Sequence, residues 1–384
     1  MNDLTNYPGE TGCMTLEEVP FGTADALAIA CISYLDFDGL ADRKNCTLAE
    51  AECLGLIREG KGAAYPQRRE LFSRMAGTRR FMNSRIRFYI TLMDDEIRMQ
   101  FSALCLDLPD GTTCVAFRGT DNTVTGWHED FDMAYLPVVP AQMAAARYLE
   151  KVAEQHDRPL RVLGHSKGGN LAMVAASMAS PETAAQIREV YSFDGPGVTD
   201  ELFMSEGFAA IRPKLYSCFP QTAIIGRLMN YPENSEVIHS DAEGIRQHDP
   251  FTWEITETAL AGLEKPDATS DLVCETLHEW LDNSTDEQRE AFVSTLFQLV
   301  DPEEVTHIRD LGNDRLKTVT TAIDRVMDVD PEKRKVFARL LGQFVTLGAG
   351  NIWERLVNRI DPKDVIHRKH TTSFLRRNDV VCFL

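Results

Sequence analysis

Ser166 stands between two glycines in the stretch "LRVLGHSKGGNLAMVAA" (residues 160–176), after an apolar run and before an alanine-rich helical pattern. The spacing G-x-S-x-G, placed where a strand gives way to a helix, predicts a nucleophile elbow. Gly164 and Gly168 are expected there because neighbouring backbone would pass too close for a side chain. Such a turn lifts the serine hydroxyl clear of the sheet at the positive end of a helix, which favours developing negative charge. The chemistry implied is nucleophilic catalysis by a serine that a nearby base deprotonates. The plainer reading of the same residues is a glycine-rich turn or phosphate-binding loop whose hydroxyl does no chemistry.

A tetrahedral intermediate on that serine needs two backbone N–H groups converging on its oxyanion. One is expected from Lys167, the residue after the serine. The segment "CVAFRGTDNTVTGWHEDF" ends a strand at Arg118, Gly119 and Thr120, and Thr120 is placed to supply the other. Beyond it, Trp127, Phe131, Met133 and Tyr135 mix with polar residues. That mixture suits a mobile cover with an apolar inner face, or a fixed surface loop with a few anchoring aromatics.

The elements that must hold these residues fall into three zones. Residues 1–84 read as a helical N-terminal segment packed on the core: "TADALAIACISYL" is apolar, and "TLAEAECLGLIREG" opens with a Thr47/Glu50 capping box and should run to Gly60. Residues 85–264 read as the core. There "MQFSALCLDL" and "TTCVAFRGT" flank the turn "PDG" as a hairpin, and the strands "LRVLG", "EVYSFDG", "KLYSCF" and "SEVIHS" alternate with helices. Such alternation predicts an α/β fold with a mostly parallel sheet covered by helices. Residues 265–384 show no strand pattern and read as a helical C-terminal region, with Pro331 near the start of "PEKRKVFARLLGQFVTL".

Composition narrows the partners. The formal net charge of −19 argues against nucleic acid, whose phosphates would be repelled. The nine cysteines are odd in number and contain no C-x-x-C pair, so neither a disulfide framework nor a zinc site is expected, and a reducing cytoplasm is the default. The N-terminus carries no signal-peptide pattern, and no apolar run is long enough to span a bilayer, so a soluble intracellular protein is expected. No metal and no organic cofactor is implied.

Taken together, "FRGT", the aromatic loop at Trp127, "GHSKGGNLA" and a downstream "QHD" resemble the lipase class 3 group of the α/β-hydrolase superfamily, closest to an uncharacterised bacterial branch. The resemblance covers roughly residues 20–260. It implies an α/β-hydrolase fold, Ser166 as nucleophile, Thr120 and Lys167 as the oxyanion-hole residues, and the Trp127 loop as the region of a lid. Chain order in this fold is serine, acid, histidine. Of the later histidines, His239 falls inside the strand "SEVIHS", whereas His248 falls on the loop after it, where the base is expected. The acid departs from the class 3 pattern: the "PQTAIIG" that follows "KLYSCF" holds no carboxylate. Asp194, at the end of "EVYSFDG", is the preferred acid, because Gly195 and Gly197 around Pro196 let the chain turn and leave the carboxylate facing the site. Glu233 in "YPENSE" is the alternative, with Asp241 or no acid behind it.

The expectation is therefore a serine hydrolase of acyl or lipid-like esters, working through Ser166, His248 and Asp194 and an acyl-enzyme. A thioesterase, amidase or acyltransferase would share these groups. A non-catalytic binding protein built on a hydrolase fold is the alternative of a different class.

Overall fold

A computed structural model of the chain describes residues 3–40, 45–60, 64–120, 126, 129–130, 132–133, 136–155, 157–267 and 285. Its centre is a nine-stranded sheet. In spatial order these are β1 (Cys46–Thr47), β2 (Arg85–Asp94), β3 (Met99–Asp107), β4 (Thr113–Phe117), β5 (Leu160–His165), β6 (Ile187–Phe193), β7 (Leu215–Pro220), β8 (Glu236–Ile238) and β11 (Gly262–Leu263). β9 (Ile255–Thr256) and β10 (Ala259–Leu260) form a separate two-stranded ribbon. β4 to β8 run parallel, while β1 to β4 and the β8–β11 pair are antiparallel. The sheet is mixed: the parallel run β4–β8, predicted from the alternation of strands and helices, is flanked by antiparallel strands on both sides. Short connections such as Asp94 to Met99 can only return the chain antiparallel, and parallel neighbours need a longer crossover.

Those crossovers carry helices: α5 (Pro140–Gln155) between β4 and β5, α6 (Lys167–Ser177) and α7 (Pro181–Gln186) between β5 and β6, and α8 (Asp200–Phe203) and α9 (Glu206–Ile211) between β6 and β7. Successive neighbours in the sheet are also successive in sequence, so right-handed crossovers all fall on one face. The residues agree: Val115, Phe117, Leu160, Val162 and Val190 form one buried cluster with Leu149 of α5, Leu171 of α6 and Phe208 of α9.

The opposite face is left open by that winding, and the N-terminal segment fills it. Its helices are α1 (Tyr7–Thr11), α2 (Thr23–Ile32), α3 (Leu48–Cys53) and α4 (Tyr65–Ala76). Leu27, Ile29, Phe72 and Met75 join the alternate strand residues Cys114, Ala116, Leu163 and Phe193 in a second cluster. Apart from Thr23 and Asp25 in its first turn, α2 is apolar all round, as a helix enclosed on every side should be, and its residues Ala24 to Ile32 are all buried. It lies across β4, β5 and β6. The Thr47/Glu50 capping box forms as the sequence predicts, with Glu50 N–H donating to Thr47 Oγ1 at 3.1 Å and Thr47 N–H donating to Glu50 Oε2 at 2.8 Å. The helix stops at Cys53 rather than near Gly60, because Gly55 turns the chain at φ +60°. Of the helical C-terminal region expected over 265–384, all but residues 265–267 and 285 lies outside the described residues. No helix of the described residues is long and apolar enough to cross a membrane.

Candidate active site

Ser166 links β5 to α6 at φ 59°, ψ −133°. A non-glycine residue held there stores about 1–3 kcal/mol of strain, and the surroundings must enforce it. They do so by close packing. A Cβ on Gly164 would fall 2.2 Å from the Gly168 carbonyl, and one on Gly168 would fall 2.1 Å from the Phe117 carbonyl oxygen. Both flanking glycines are therefore required for α6 to begin this close to β4 and β5. Ser166 N–H donates to the Phe193 carbonyl at 2.9 Å, which fastens the turn to the end of β6. Ser166 Oγ itself makes no hydrogen bond among the described residues.

The end of β6 carries Asp194, at φ 46° and 1% side-chain exposure. Its Oδ2 accepts the Nδ1–H of His248 at 2.6 Å. Its Oδ1 accepts the Gly226 N–H at 2.9 Å. Gly226 belongs to the segment after β7 that lacks a carboxylate, so that segment contributes a donor that orients the Asp194 carboxylate at the end of the neighbouring strand. A side chain at 226 would not fit, since its Cβ would lie 2.3 Å from Asp194 Oδ1. Glu233, the alternative acid, lies in an exposed turn. His239 sits just past β8 with Nδ1 2.9 Å from Glu254 Oε2.

His248 ends a short 3-10 helix, Gly244–His248, whose position is fixed from three sides. Trp253 Nε1–H donates to the Gln247 carbonyl at 2.6 Å, and the Gln247 side chain bonds Thr222 N–H and the Ala242 carbonyl, each at 2.8 Å. The third support comes from the elbow. His165 Nε2 lies 2.9 Å from the His248 carbonyl, with the two rings 4.7 Å apart. Since a carbonyl only accepts, Nε2 carries the proton, and Nδ1 is left to accept from the Tyr34 hydroxyl at 3.2 Å. Burial, then the neighbouring His248, then Arg68 hold His165 well below the usual imidazole range, so it stays neutral in this role. His165 and Tyr34 were not singled out by sequence reasoning. The only sequence signal was the histidine's place inside the elbow motif.

Lys167 is the larger surprise. Its side chain is fully buried and donates from Nζ to the Gln100 carbonyl at 2.9 Å, to Gln100 Oε1 at 2.7 Å and to Glu129 Oε2 at 3.0 Å. Asp130 Oδ1 is 3.8 Å from the same ammonium, and Asp130 Oδ2 accepts the Thr120 hydroxyl. Among the described residues, neither the Thr120 nor the Lys167 backbone N–H makes a hydrogen bond. Gly119 brings the Thr120 loop against the serine, since a Cβ there would lie 3.2 Å from Ser166 Cβ. Trp127 and Phe131, expected to form a lid, lie outside the described residues, whereas Met133 beside them is buried. No cluster of metal-ligating side chains occurs among the described residues.

The arrangement can hold an imidazole with its Nδ1 proton on a carboxylate, which leaves Nε2 as the basic nitrogen. A serine at a strained turn after the middle strand of such a sheet is the architecture of lipase-like α/β proteins. Residues 75–298 match the Mbeg1-like family, a lipase-like family, and the chain belongs to it. Among solved structures it is similar to M37 lipase, at 15% identity and a TM-score of 0.36, over 53% of this chain and 69% of that one. No curated protein matches the sequence.

Proposed function

We propose that the protein is a serine hydrolase of carboxylic esters with acyl or lipid-like chains. The observation that carries this reading is the 2.6 Å bond between His248 Nδ1 and Asp194 Oδ2, made on the loops beside the strained Ser166 turn. In the reaction, His248 Nε2 takes the Ser166 proton as Oγ attacks the ester carbonyl carbon. The oxyanion accepts hydrogen bonds from the Thr120 and Lys167 backbone N–H groups. Collapse expels the alcohol, which leaves with the proton from His248, and an acyl-serine remains. Water then repeats the sequence and releases the acid. Asp194 stays ionised throughout and fixes the imidazole tautomer. Apo geometry with an unbonded Ser166 Oγ is compatible with this, because such bonds tighten only when substrate is bound.

The test is labelling of the native protein with a fluorophosphonate, which reacts only with an activated serine. Label on Ser166, lost in Ser166→Ala together with p-nitrophenyl ester hydrolysis, is the expected result. Relative rates on matched oxygen esters, thioesters and amides then assign the acyl group's natural linkage.

A further inference from the structure

Lys167 places a charged side chain where burial is most costly, one residue from the nucleophile. An ion removed from water costs several kcal/mol unless it is paired, and even a well-paired buried ion seldom adds net stability over an apolar side chain of similar size. Stability alone therefore does not account for a lysine here. Its surroundings suggest what does. Glu129, 1% exposed, meets the ammonium through Oε2, which also accepts the Gln100 N–H at 3.0 Å, while Oε1 accepts the Ala141 N–H at 2.8 Å. Glu129 is thus fixed between β3 and the start of α5. Asp130, the next residue, faces the same ammonium with one oxygen and holds the Thr120 hydroxyl with the other. A continuous path runs from the Lys167 side chain through Asp130 to Thr120.

We infer that the Lys167 ammonium is a positioning group for the oxyanion hole: by holding Glu129 and Asp130 it fixes Thr120. Residue 167 then acts at both halves of that site, offering its own backbone N–H on one side and setting the second donor through its side chain on the other. The inference rests on the serine-hydrolase reading. It explains why the lysine side chain is enclosed by Gln100 and Glu129 and not exposed to solvent. It also assigns a role to the Thr120 hydroxyl, which the ester chemistry itself does not use. Misplacement of one donor by about 1 Å is enough to cost on the order of 100-fold in rate.

The experiment uses the full chain and p-nitrophenyl butyrate. Lys167→Met combined with Glu129→Gln removes both buried charges at nearly constant volume, which keeps the fold. Thr120→Val removes only the hydroxyl, and Thr120→Ser restores it. The expected result is a fall in kcat of about 10- to 100-fold in the double variant and in Thr120→Val, with KM changed by less than about threefold. Thr120→Ser, which restores the hydroxyl, should recover most of the kcat that Thr120→Val loses. Adding Thr120→Val to the double variant should cost little more, because one path has already been cut. A lysine that only supports the fold would move melting temperature without that rate split or that non-additivity. If wild type hydrolyses the ester and both changes leave kcat within about threefold, or if their losses multiply, the inference is overturned and the hydrolase reading survives. If wild type neither hydrolyses esters nor takes up the fluorophosphonate, the hydrolase reading falls and this inference falls with it.

Discussion

Two buried ionic clusters in this molecule use the same kinds of groups and finish them differently. Under the N-terminal helices, Arg80 and Asp25 are both fully buried, joined at 2.7 Å through Nε and 2.5 Å through Nη2. The remaining Arg80 donors reach the carbonyls of Thr15, Val19 and Pro20, and Asp25 also accepts the Tyr7 hydroxyl at 2.6 Å and the Gly22 N–H at 2.9 Å. That cluster is closed, and it staples the N-terminal chain over the face that the crossovers leave open. Beside Ser166, the cluster of Lys167, Glu129 and Asp130 is left incomplete. Asp130 Oδ1 stands 3.8 Å from the ammonium, and neither it nor Gln100 Nε2 makes a hydrogen bond among the described residues. Burial pushes the Asp130 carboxyl up to about 6, with Lys167 opposing that rise most strongly. A saturated network rigidifies, whereas one with unused capacity marks a place where geometry serves something other than stability.

If that contrast is right, changes at the site should strike rate and changes under the N-terminal helices should strike stability. The largest effect is expected from Asp194→Asn, which keeps the hydrogen-bonded shape but allows the wrong imidazole tautomer. Turnover should fall by about 10⁴-fold, as loss of the equivalent charge does in serine proteases, with little change in melting temperature. Next comes Arg80→Met, which strands the Asp25 carboxylate in the core. Chemical denaturation should show a loss of about 3–5 kcal/mol, while the folded fraction still reacts with fluorophosphonate at close to the native rate. A comparable loss of reactivity in that variant would erase the distinction between the clusters. Gly226→Ala should cost about 10- to 100-fold in kcat, because the added methyl would collide with Asp194 Oδ1 and shift the carboxylate whose Oδ2 holds His248.

The smallest effect is a pH dependence. Asp130 rises from an ordinary value of 3.8 to about 6 on folding, so the folded state holds its proton over a range where the unfolded chain has lost it. Stability contributed by this group is therefore greatest below about pH 4 and is lost as pH rises towards 6. Asp130→Asn does not ionise, so it should gain on wild type between those limits and keep a roughly constant advantage above them, on the order of 1 kcal/mol after screening. Thermal melts of both proteins at pH 4 and pH 7.5 read this directly. An advantage that does not change with pH would show that Asp130 carries no burial cost.

Much of the site could be read from the chain because it is written locally. The elbow occupies five consecutive residues whose glycines have a steric reason, and His248 and Asp194 sit where strand ends should open. What could not be read depends on long-range placement. A lysine in sequence reads as a surface group, and nothing near Lys167 announces that Gln100 and Glu129, 67 and 38 residues earlier, would enclose it. Gly226 looked like part of a segment that merely lacked an acid. The β3–β4 hairpin was legible from its turn, but β2 was missed because half-buried Arg85–Asp94 carries charge and aromatics without clean alternation.

The most direct test of the central claim is the site of fluorophosphonate attachment in the native full-length protein, read by peptide mass spectrometry. The account predicts a single adduct on Ser166, absent from Ser166→Ala and formed far more slowly in His248→Ala. A native, folded protein that takes up no label, or takes it up on another residue, would contradict it.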